Sequence, residues 1–233
     1  MEPKDQNRRD FLGQLATVAG GVVLLPYVTA CGTTGTTGTT TPAKVTPTAI
    51  APGSSMLIPQ TPPADWNAIT FNQRRGNDGA IPESYWAAIN GPEGAKKHLG
   101  KHLPYGPSFD AKLIPVGYVA IMWGDATKGY ARHPTAAKNA AQSYKGHWYN
   151  WIKIRKAIAG DTEEVTNEYP DWPGPLPYDA KNYAVFGGGD ITADGGRNTV
   201  YLVKLPTGVQ KGDRVRIYAH CLYHGEYIDF LTL

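Results

Sequence analysis

The sequence predicts an all-β fold, an antiparallel β-sandwich with helical and loop insertions. Short runs of alternating apolar and polar residues recur after residue 112 of the 233-residue chain, and this alternation is typical of strands with one buried face. Clusters of Gly, Pro and Asp separate the runs, for example at 187–190 and 210–213, and such clusters favour turns. The runs that predict strands are 113–123, 147–155, 183–186, 199–205, 213–218 and 227–233.

The N-terminal residues, 1–31, are predicted to be an export signal rather than part of the fold. Arg8 and Arg9 lie in a twin-arginine motif, and an apolar stretch follows over 11–30. The stretch ends in a motif typical of a lipobox, in which Cys31 is lipidated and becomes the mature N-terminus. An uncleaved membrane anchor is the alternative, because about 20 apolar residues can cross a bilayer. Both alternatives predict a protein tethered at the periplasmic, extracytoplasmic face of the membrane.

Residues 32–63 are predicted to be a flexible linker, since a Thr/Gly repeat and a Pro-rich run follow each other without an amphipathic period. Residues 64–233 are enough for one domain with a core. Within that domain, 82–90 is the only early stretch that predicts a helical turn. Residues 160–182, rich in Pro, acidic residues and Tyr, predict a long surface excursion.

The chain has six histidines and two cysteines, and most of them lie in recognisable motifs. The motifs are Lys-His-Leu-Pro at 101–104, Arg-His-Pro at 132–134, His-Trp-Tyr at 147–149 and Cys-Leu-Tyr-His-Gly at 221–225. Imidazole and thiolate together suit iron, copper or zinc better than magnesium or calcium. The sequence therefore predicts a transition-metal site with the ligands His102, His133, His147, Cys221 and His224.

Cysteine usage sharpens the prediction for Cys221. If Cys31 carries a lipid, Cys221 is the remaining thiol, so an internal disulfide is excluded. A single thiol in an oxidising compartment is reactive, buried or a ligand. Because His224 follows three residues later, a ligand is favoured. The same count excludes a four-cysteine iron centre.

The order of these motifs resembles the single-iron superoxide reductases. That family has a Lys-His-x-Pro loop, a His-Pro, a histidine that opens an aromatic strand, and a C-terminal Cys-Asn-x-His-Gly. The matching segments here are 101–104, 133–134, 147–154 and 221–225, and the resemblance spans about 95–233. It implies an immunoglobulin-like sandwich of about seven strands.

The resemblance also implies a site and an activity. His102, His133, His147 and His224 would surround a ferrous iron in a plane, and Cys221 would be the axial ligand. Superoxide would be reduced to hydrogen peroxide at the open position. Lys101 matches the family lysine that attracts the anion and helps to deliver a proton, and so it is expected to be catalytic.

The chain departs from the family in two places. Residues 135–146 separate the second and third histidines by more than is usual, and good helix formers over 136–142 predict a turn of helix there. Many family members carry a Glu two residues before the first ligand, where this chain has Gly100. Glu93 is the nearest acid upstream.

Two further histidines compete with the predicted ligands. His98 and His102 are four residues apart and would chelate zinc on a helix. The Leu-Pro that follows His102 favours an extended exit, so His98 is expected at the surface. Strand alternation predicts that His220 points away from its neighbour Cys221.

Two other functions remain open. A blue-copper carrier is also a β-sandwich with a C-terminal Cys and His, but it usually needs an axial Met, and past the signal only Met56 and Met122 occur. The second alternative is a non-catalytic extrinsic subunit or sensor of a membrane redox complex. For a reductase, a periplasmic cytochrome or membrane redox complex is the expected electron donor. A net charge of +3 does not predict nucleic-acid binding.

Overall fold

The structure is a computed structural model that describes residues 54–160, 163–172 and 182–233. The predicted export signal, Cys31 and most of the predicted linker therefore lie outside the described residues. Among the helices that are described, none is both long enough and apolar enough to span a bilayer.

The described residues form two four-stranded antiparallel sheets. The strands are β1 Pro104–Tyr105, β2 Tyr118–Trp123, β3 Tyr149–Lys156, β4 Glu164–Glu168, β5 Tyr183–Val185, β6 Thr199–Lys204, β7 Arg214–Cys221 and β8 Gly225–Thr232. The first sheet has the order β1-β2-β6-β5 and the second β4-β3-β7-β8. The predicted all-β antiparallel fold is thereby confirmed, whereas the immunoglobulin-like topology remains a prediction.

Short helices precede and connect the strands. Among the described residues, the two α-helices are α1 Ala68–Arg75 and α2 Trp86–Asn90, and the shorter helical turns are Gly76–Ala80, Glu83–Tyr85, Gly94–Leu99, Gly100–His102, Ala111–Leu113, Ala126–Lys128, Ala140–Gln142 and Ala193–Gly196. The helical prediction for 82–90 is confirmed, but the expectation that no other early stretch is helical is wrong. Helix α1 starts at Asn67, whose side chain accepts a hydrogen bond from the Thr70 amide at 3.0 Å.

The turn of helix predicted within 136–142 is present at Ala140–Gln142. Part of the surface excursion predicted over 160–182 is the edge strand β4, which pairs with β3 along its whole length. Residues 161–162 and 173–181 of this segment lie outside the described residues. Strand β4 contains one apolar residue, Val165, and so it lacks the alternation of apolar and polar residues that predicts a strand. Its backbone pairing with β3 is what identifies it as a strand.

The register of the second sheet brings distant residues to one end. Strand β7 pairs with β8 from Arg214↔Thr232 to Cys221↔Gly225, and Tyr149 at the start of β3 pairs with Cys221. Gly225 has a φ of +85°, and a Cβ there would lie 2.2 Å from the carbonyl oxygen of Ala80. The close turn between β7 and β8 therefore requires glycine at this position.

The main core lies between the sheets. On β7, Val215, Ile217, Ala219 and Cys221 alternate inward and are fully buried, as the period of two requires. They pack in one cluster with apolar and aromatic side chains of β2, β3 and β6, including Ile121, Tyr149, Ile152, Ile154, Tyr201 and Val203. Each fully buried aliphatic side chain stabilises the fold by about 1.5–3 kcal/mol.

The segment before β1 is attached to the last strand. The Trp66 indole donates to Asp229 at 2.9 Å. The side chain of Asn72 donates to the Ile228 carbonyl and accepts from the Ile228 amide, at 2.7 and 2.8 Å. Arg75 forms an ion pair with Glu226 at 3.1 Å. These contacts hold α1 against β8, close to the turn that follows Cys221.

Candidate metal centre

The five residues predicted as metal ligands converge at one end of the two sheets. The potential ligand atoms of His102, His133, His147, Cys221 and His224 all lie within 4.8 Å of one another. All five side chains are buried. This cluster of four imidazoles and one thiol can hold a metal ion, and its donor atoms suit a transition metal.

Each member comes from a different structural context. His102 ends the turn Gly100–His102, and the His133 amide bonds to the carbonyl of Trp123 at the end of β2. His147 precedes β3 and forms an isolated antiparallel bridge with Ala136. Cys221 ends β7, and His224 lies in the turn before β8. Only the tertiary fold brings these segments together.

The distances inside the cluster fit a bound cation better than a hydrogen-bond network. His224 Nδ1 lies 3.0 Å from both His102 Nε2 and His147 Nε2, and 3.6 Å from Cys221 Sγ. Cys221 Sγ also lies 3.5 Å from His133 Nε2. A ring nitrogen carries either one proton or one lone pair, so His224 Nδ1 cannot satisfy three neighbours. A cation would accept lone pairs from all of them.

A backbone contact orients His102 toward the cluster. Its Nδ1 lies 2.5 Å from the carbonyl oxygen of His98, and because a carbonyl only accepts, Nδ1 carries the proton. The Nε2 lone pair therefore faces the other four residues. This arrangement is typical of histidines that bind metals.

Burial keeps the imidazoles neutral. It lowers the pKa of His102 and of His133 well below the usual value, that of His147 to about 3 and that of His224 to about 2. Neighbouring histidines or Lys101 lower each pKa further. Neutral rings offer lone pairs, which metal binding requires.

Burial acts in the opposite direction on the thiol. It raises the pKa of Cys221 to about 12, although the backbone amides of Tyr223 and His224 and the charge of Lys101 oppose the shift. The thiol is therefore protonated when no cation is present. A bound cation would favour the thiolate and release a proton.

Lys101 lies beside the cluster without belonging to it. Its side chain is half-buried, and burial lowers its pKa while Cys221 opposes that shift. The Lys101 charge in turn lowers the pKa of all four clustered histidines. The structure thus brings Lys101 next to the site, and its catalytic role remains a prediction.

Neither Gly100, where many members of the family have a glutamate, nor Glu93 supplies a carboxylate to the cluster. A Cβ at Gly100 would lie 2.3 Å from the ring of Tyr130, so a glutamate does not fit there. Glu93 is exposed and pairs with Lys97 at 3.6 Å. Among the described residues, the cluster contains only histidine and cysteine.

Of the two histidines outside the cluster, the predicted position is wrong for His98 and confirmed for His220. The surface position expected for His98 is wrong: its ring is half-buried, 5.8 Å from the His224 ring and 5.9 Å from Tyr85. The spacing of four residues between His98 and His102 was the feature of the sequence that indicated a position near the cluster. His220 does point away from Cys221, as predicted. Its Nδ1 lies 2.5 Å from Asn150 Oδ1, and its ring stacks on Trp151.

Aromatic rings enclose the cluster. Tyr227 stacks on His102 at 4.3 Å between ring centroids, and Tyr149 lies 4.8 Å from His133. Tyr85 contacts His224 at 4.6 Å. These rings exclude water, and a low dielectric strengthens interactions between the cluster and a charged ligand. The sequence pattern around His147 predicted one aromatic strand but not this enclosure.

No family model, no curated protein and no solved structure matches this chain. The fold and the site by themselves define its class. It is a mostly β domain of two antiparallel sheets, with a buried candidate metal centre of four histidines and one cysteine at one end.

Proposed function

We propose that this protein is a superoxide reductase with a single iron ion at the His/Cys cluster. The observation that carries the proposal is the convergence of four neutral imidazoles and one cysteine beside a half-buried lysine. Four neutral ligands and one thiolate leave a ferrous ion with a net charge of about +1. The order of the motifs along the chain adds support.

The residues of the chain have distinct parts in this reaction. The four histidines hold the cation without adding charge, and Cys221 adds one negative charge. A bound iron ion would supply one electron to superoxide. Lys101 attracts the anion and donates a proton, and one electron with two protons converts superoxide to hydrogen peroxide. The tyrosines around the cluster exclude bulk water from the reacting atoms.

We also propose that the domain acts outside the cytoplasm, held at the membrane by Cys31 or by residues 11–30. Export by the twin-arginine route would allow iron to bind before the protein meets periplasmic copper and zinc, which bind such ligands more tightly. The predicted export route is therefore consistent with an iron site made of histidine and cysteine ligands.

Metal analysis and rapid mixing test the function. Protein exported by its native route should contain about one iron ion per chain. Its chemically reduced form should consume superoxide and release hydrogen peroxide without oxygen, which separates reduction from dismutation. Stoichiometric copper with an intense thiolate absorption band would identify a blue-copper carrier. Iron without any reaction with superoxide would identify a non-catalytic subunit.

The ligand geometry does not favour the blue-copper alternative. Such a site uses two histidines, one cysteine and usually a methionine, whereas four histidines converge here. Met122 is buried in a separate apolar cluster with Ala120, Val200 and Leu202, and its sulfur accepts a hydrogen bond from Tyr105.

A further inference from the structure

A cleft of about 550 Å³ opens next to the candidate metal centre. Three tyrosines line it, Tyr85, Tyr144 and Tyr223, together with polar side chains that include Ser84 and Gln142. No carboxylate lines the cleft, and Lys145 is its one charged residue among the described residues. The cleft is therefore aromatic and concave, with a single positive charge at Lys145.

The tyrosines connect this cleft directly to the cluster. Tyr223 is 43% exposed, and its ring lies 5.3 Å from the ring of His224 and 5.9 Å from that of His147. The Tyr144 ring lies 6.0 Å from the Tyr223 ring. A molecule in the cleft would be separated from two candidate ligands by a single aromatic ring.

One wall of the cleft comes from residues 135–146, the segment that lengthens the spacing between His133 and His147. This segment supplies Gln142, Tyr144 and Lys145. It is held in place by reciprocal hydrogen bonds between the backbones of Asn139 and Tyr144, at 2.8 and 2.9 Å. The additional residues thus form an ordered wall beside the metal centre.

The shape and chemistry of the cleft define a class of ligand. A cleft of 550 Å³ lies within the range of small-molecule sites, about 300–1,000 Å³, whereas a protein partner would need a broad, flatter surface. Tyrosine rings favour a planar aromatic molecule. Hydroxyl and amide groups from Ser84 and Gln142 favour oxygen atoms on that molecule. Because Lys145 is the one charged side chain of the described lining and no carboxylate is present there, the cleft disfavours a cationic molecule.

We propose that this cleft binds a hydroquinone, which serves as the electron donor. The inference rests on the proposed function, because a superoxide reductase needs an electron for each turnover. A hydroquinone gives up two electrons and two protons and becomes a quinone. With two further protons from solvent, two superoxide ions become two molecules of hydrogen peroxide. Tyr223 contacts the rings of both His147 and His224, and Tyr85 lies 4.6 Å from the ring of His224, so these two tyrosines provide the aromatic contacts for the transfer.

Binding of an oxidised probe tests the cleft without turnover. The full-length, metal-loaded protein in its oxidised state is titrated with 1,4-naphthoquinone by calorimetry, since neither partner can then reduce the other. Tyr223→Ala should weaken binding about tenfold, the equivalent of one lost aromatic contact. Tyr223→Phe should keep binding within about threefold, because the ring remains. Ser84→Trp, at an exposed position on the cleft wall, should abolish binding by filling the space.

Tyr118→Leu is the matched control, because Tyr118 is a half-buried tyrosine at the far end of β2. It should bind the probe as the wild type does. Metal content is measured for every variant, so that a folding defect is recognised. Failure of the wild type to bind the probe, or equal binding by all variants, would overturn the assignment of the cleft.

Reduction kinetics separate this inference from the proposed function. 1,4-naphthohydroquinone should reduce the oxidised wild-type protein, and Tyr223→Ala should slow this step about tenfold at subsaturating donor. A pre-reduced protein that consumes superoxide but accepts electrons only from a haem protein would overturn the hydroquinone site and leave the reductase intact. A protein that binds the probe at the cleft but does not consume superoxide would support the site and contradict the reductase.

Discussion

At the scale of single residues, the candidate centre depends on donor atoms that have no alternative partners. His224 Nδ1 faces two imidazole nitrogens and a sulfur within 3.6 Å, and the same sulfur faces His133 Nε2 at 3.5 Å. Buried polar atoms that lack partners are costly, about 1–3 kcal/mol each. A bound cation would remove most of this cost, so ligand substitutions should change metal affinity and stability together.

Replacing the thiol tests the role of Cys221. Cys221→Ser should lower metal affinity about tenfold or more, because a hydroxyl stays protonated at neutral pH and is a weak ligand. Metal content after dialysis against a chelator measures the effect. His220→Gln is the matched control, since the neighbouring His220 points to the other face. Equal metal retention by Cys221→Ser and the wild type would exclude Cys221 as a ligand.

The charge of Lys101 is tested by kinetics. Lys101→Ala should slow the second-order reaction with superoxide about tenfold, whereas Lys101→Arg should retain most of the rate, because attraction of an anion depends on charge. Added salt should slow the wild type more than the alanine variant. Stopped-flow mixing at two ionic strengths measures both effects. Lys96→Ala, which removes an exposed lysine of the same segment, controls for the change in net charge. If Lys101→Ala reacts with superoxide as fast as the wild type does, Lys101 has no part in the mechanism.

At the scale of elements, the site depends on the hairpin of β7 and β8 and on the helix that covers it. Cys221 and His224 flank the turn of this hairpin, and α1 is attached to β8 through Asn72. The chain before β1 is therefore part of the scaffold that positions the cluster, although its helix was not predicted from the sequence.

The attachment of α1 is tested by a stability measurement. Asn72→Ala should lower the free energy of unfolding by about 2–3 kcal/mol, because two buried hydrogen bonds to the Ile228 backbone are lost and those backbone groups stay buried. Denaturant unfolding of the full chain measures this change. Arg74→Ala, on the exposed side of the same helix, should change stability by less than about 0.5 kcal/mol. A similar small change for Asn72→Ala would mean that α1 does not hold β8.

At the scale of the whole molecule, the proposed function requires a metal-loaded domain outside the cytoplasm. The four histidines and the cysteine of the cluster lie among the described residues, whereas the export and lipidation motifs lie outside them. Metal binding and export therefore need separate tests.

Export is tested by changing the two arginines together. Arg8→Lys with Arg9→Lys should leave the precursor in the cytoplasm, because the twin-arginine motif is the address for export. Cys31→Ala alone should be exported but lack the lipid. Fractionation and mass spectrometry of the mature protein measure both outcomes. If Cys31→Ala stays firmly in the membrane, residues 11–30 themselves would be the anchor.

Local patterns in the sequence predicted six of the eight described strands, missing β1 and β4, and singled out the residues of the cluster. Strand alternation predicted that His220 points away from its neighbour Cys221, because successive side chains of a strand point to opposite faces. The spacing of Cys221 and His224, and the aromatic run after His147, singled out the same residues that the structure brings together. These features depend on neighbours in the chain, and so the sequence contains them.

Other features required the tertiary structure. Strand β4 has almost no apolar residues and exists because β3 offers backbone partners. His98 was expected at the surface, but it packs against His224, and Gly100 admits no glutamate because the Tyr130 ring covers it. The cleft of Tyr85, Tyr144 and Tyr223 joins residues almost 140 positions apart. Such contacts are set by packing between segments distant in the chain, which no local period encodes. Strand alternation and the short spacing of Cys221 and His224 are local features, and so they were determined by the sequence alone.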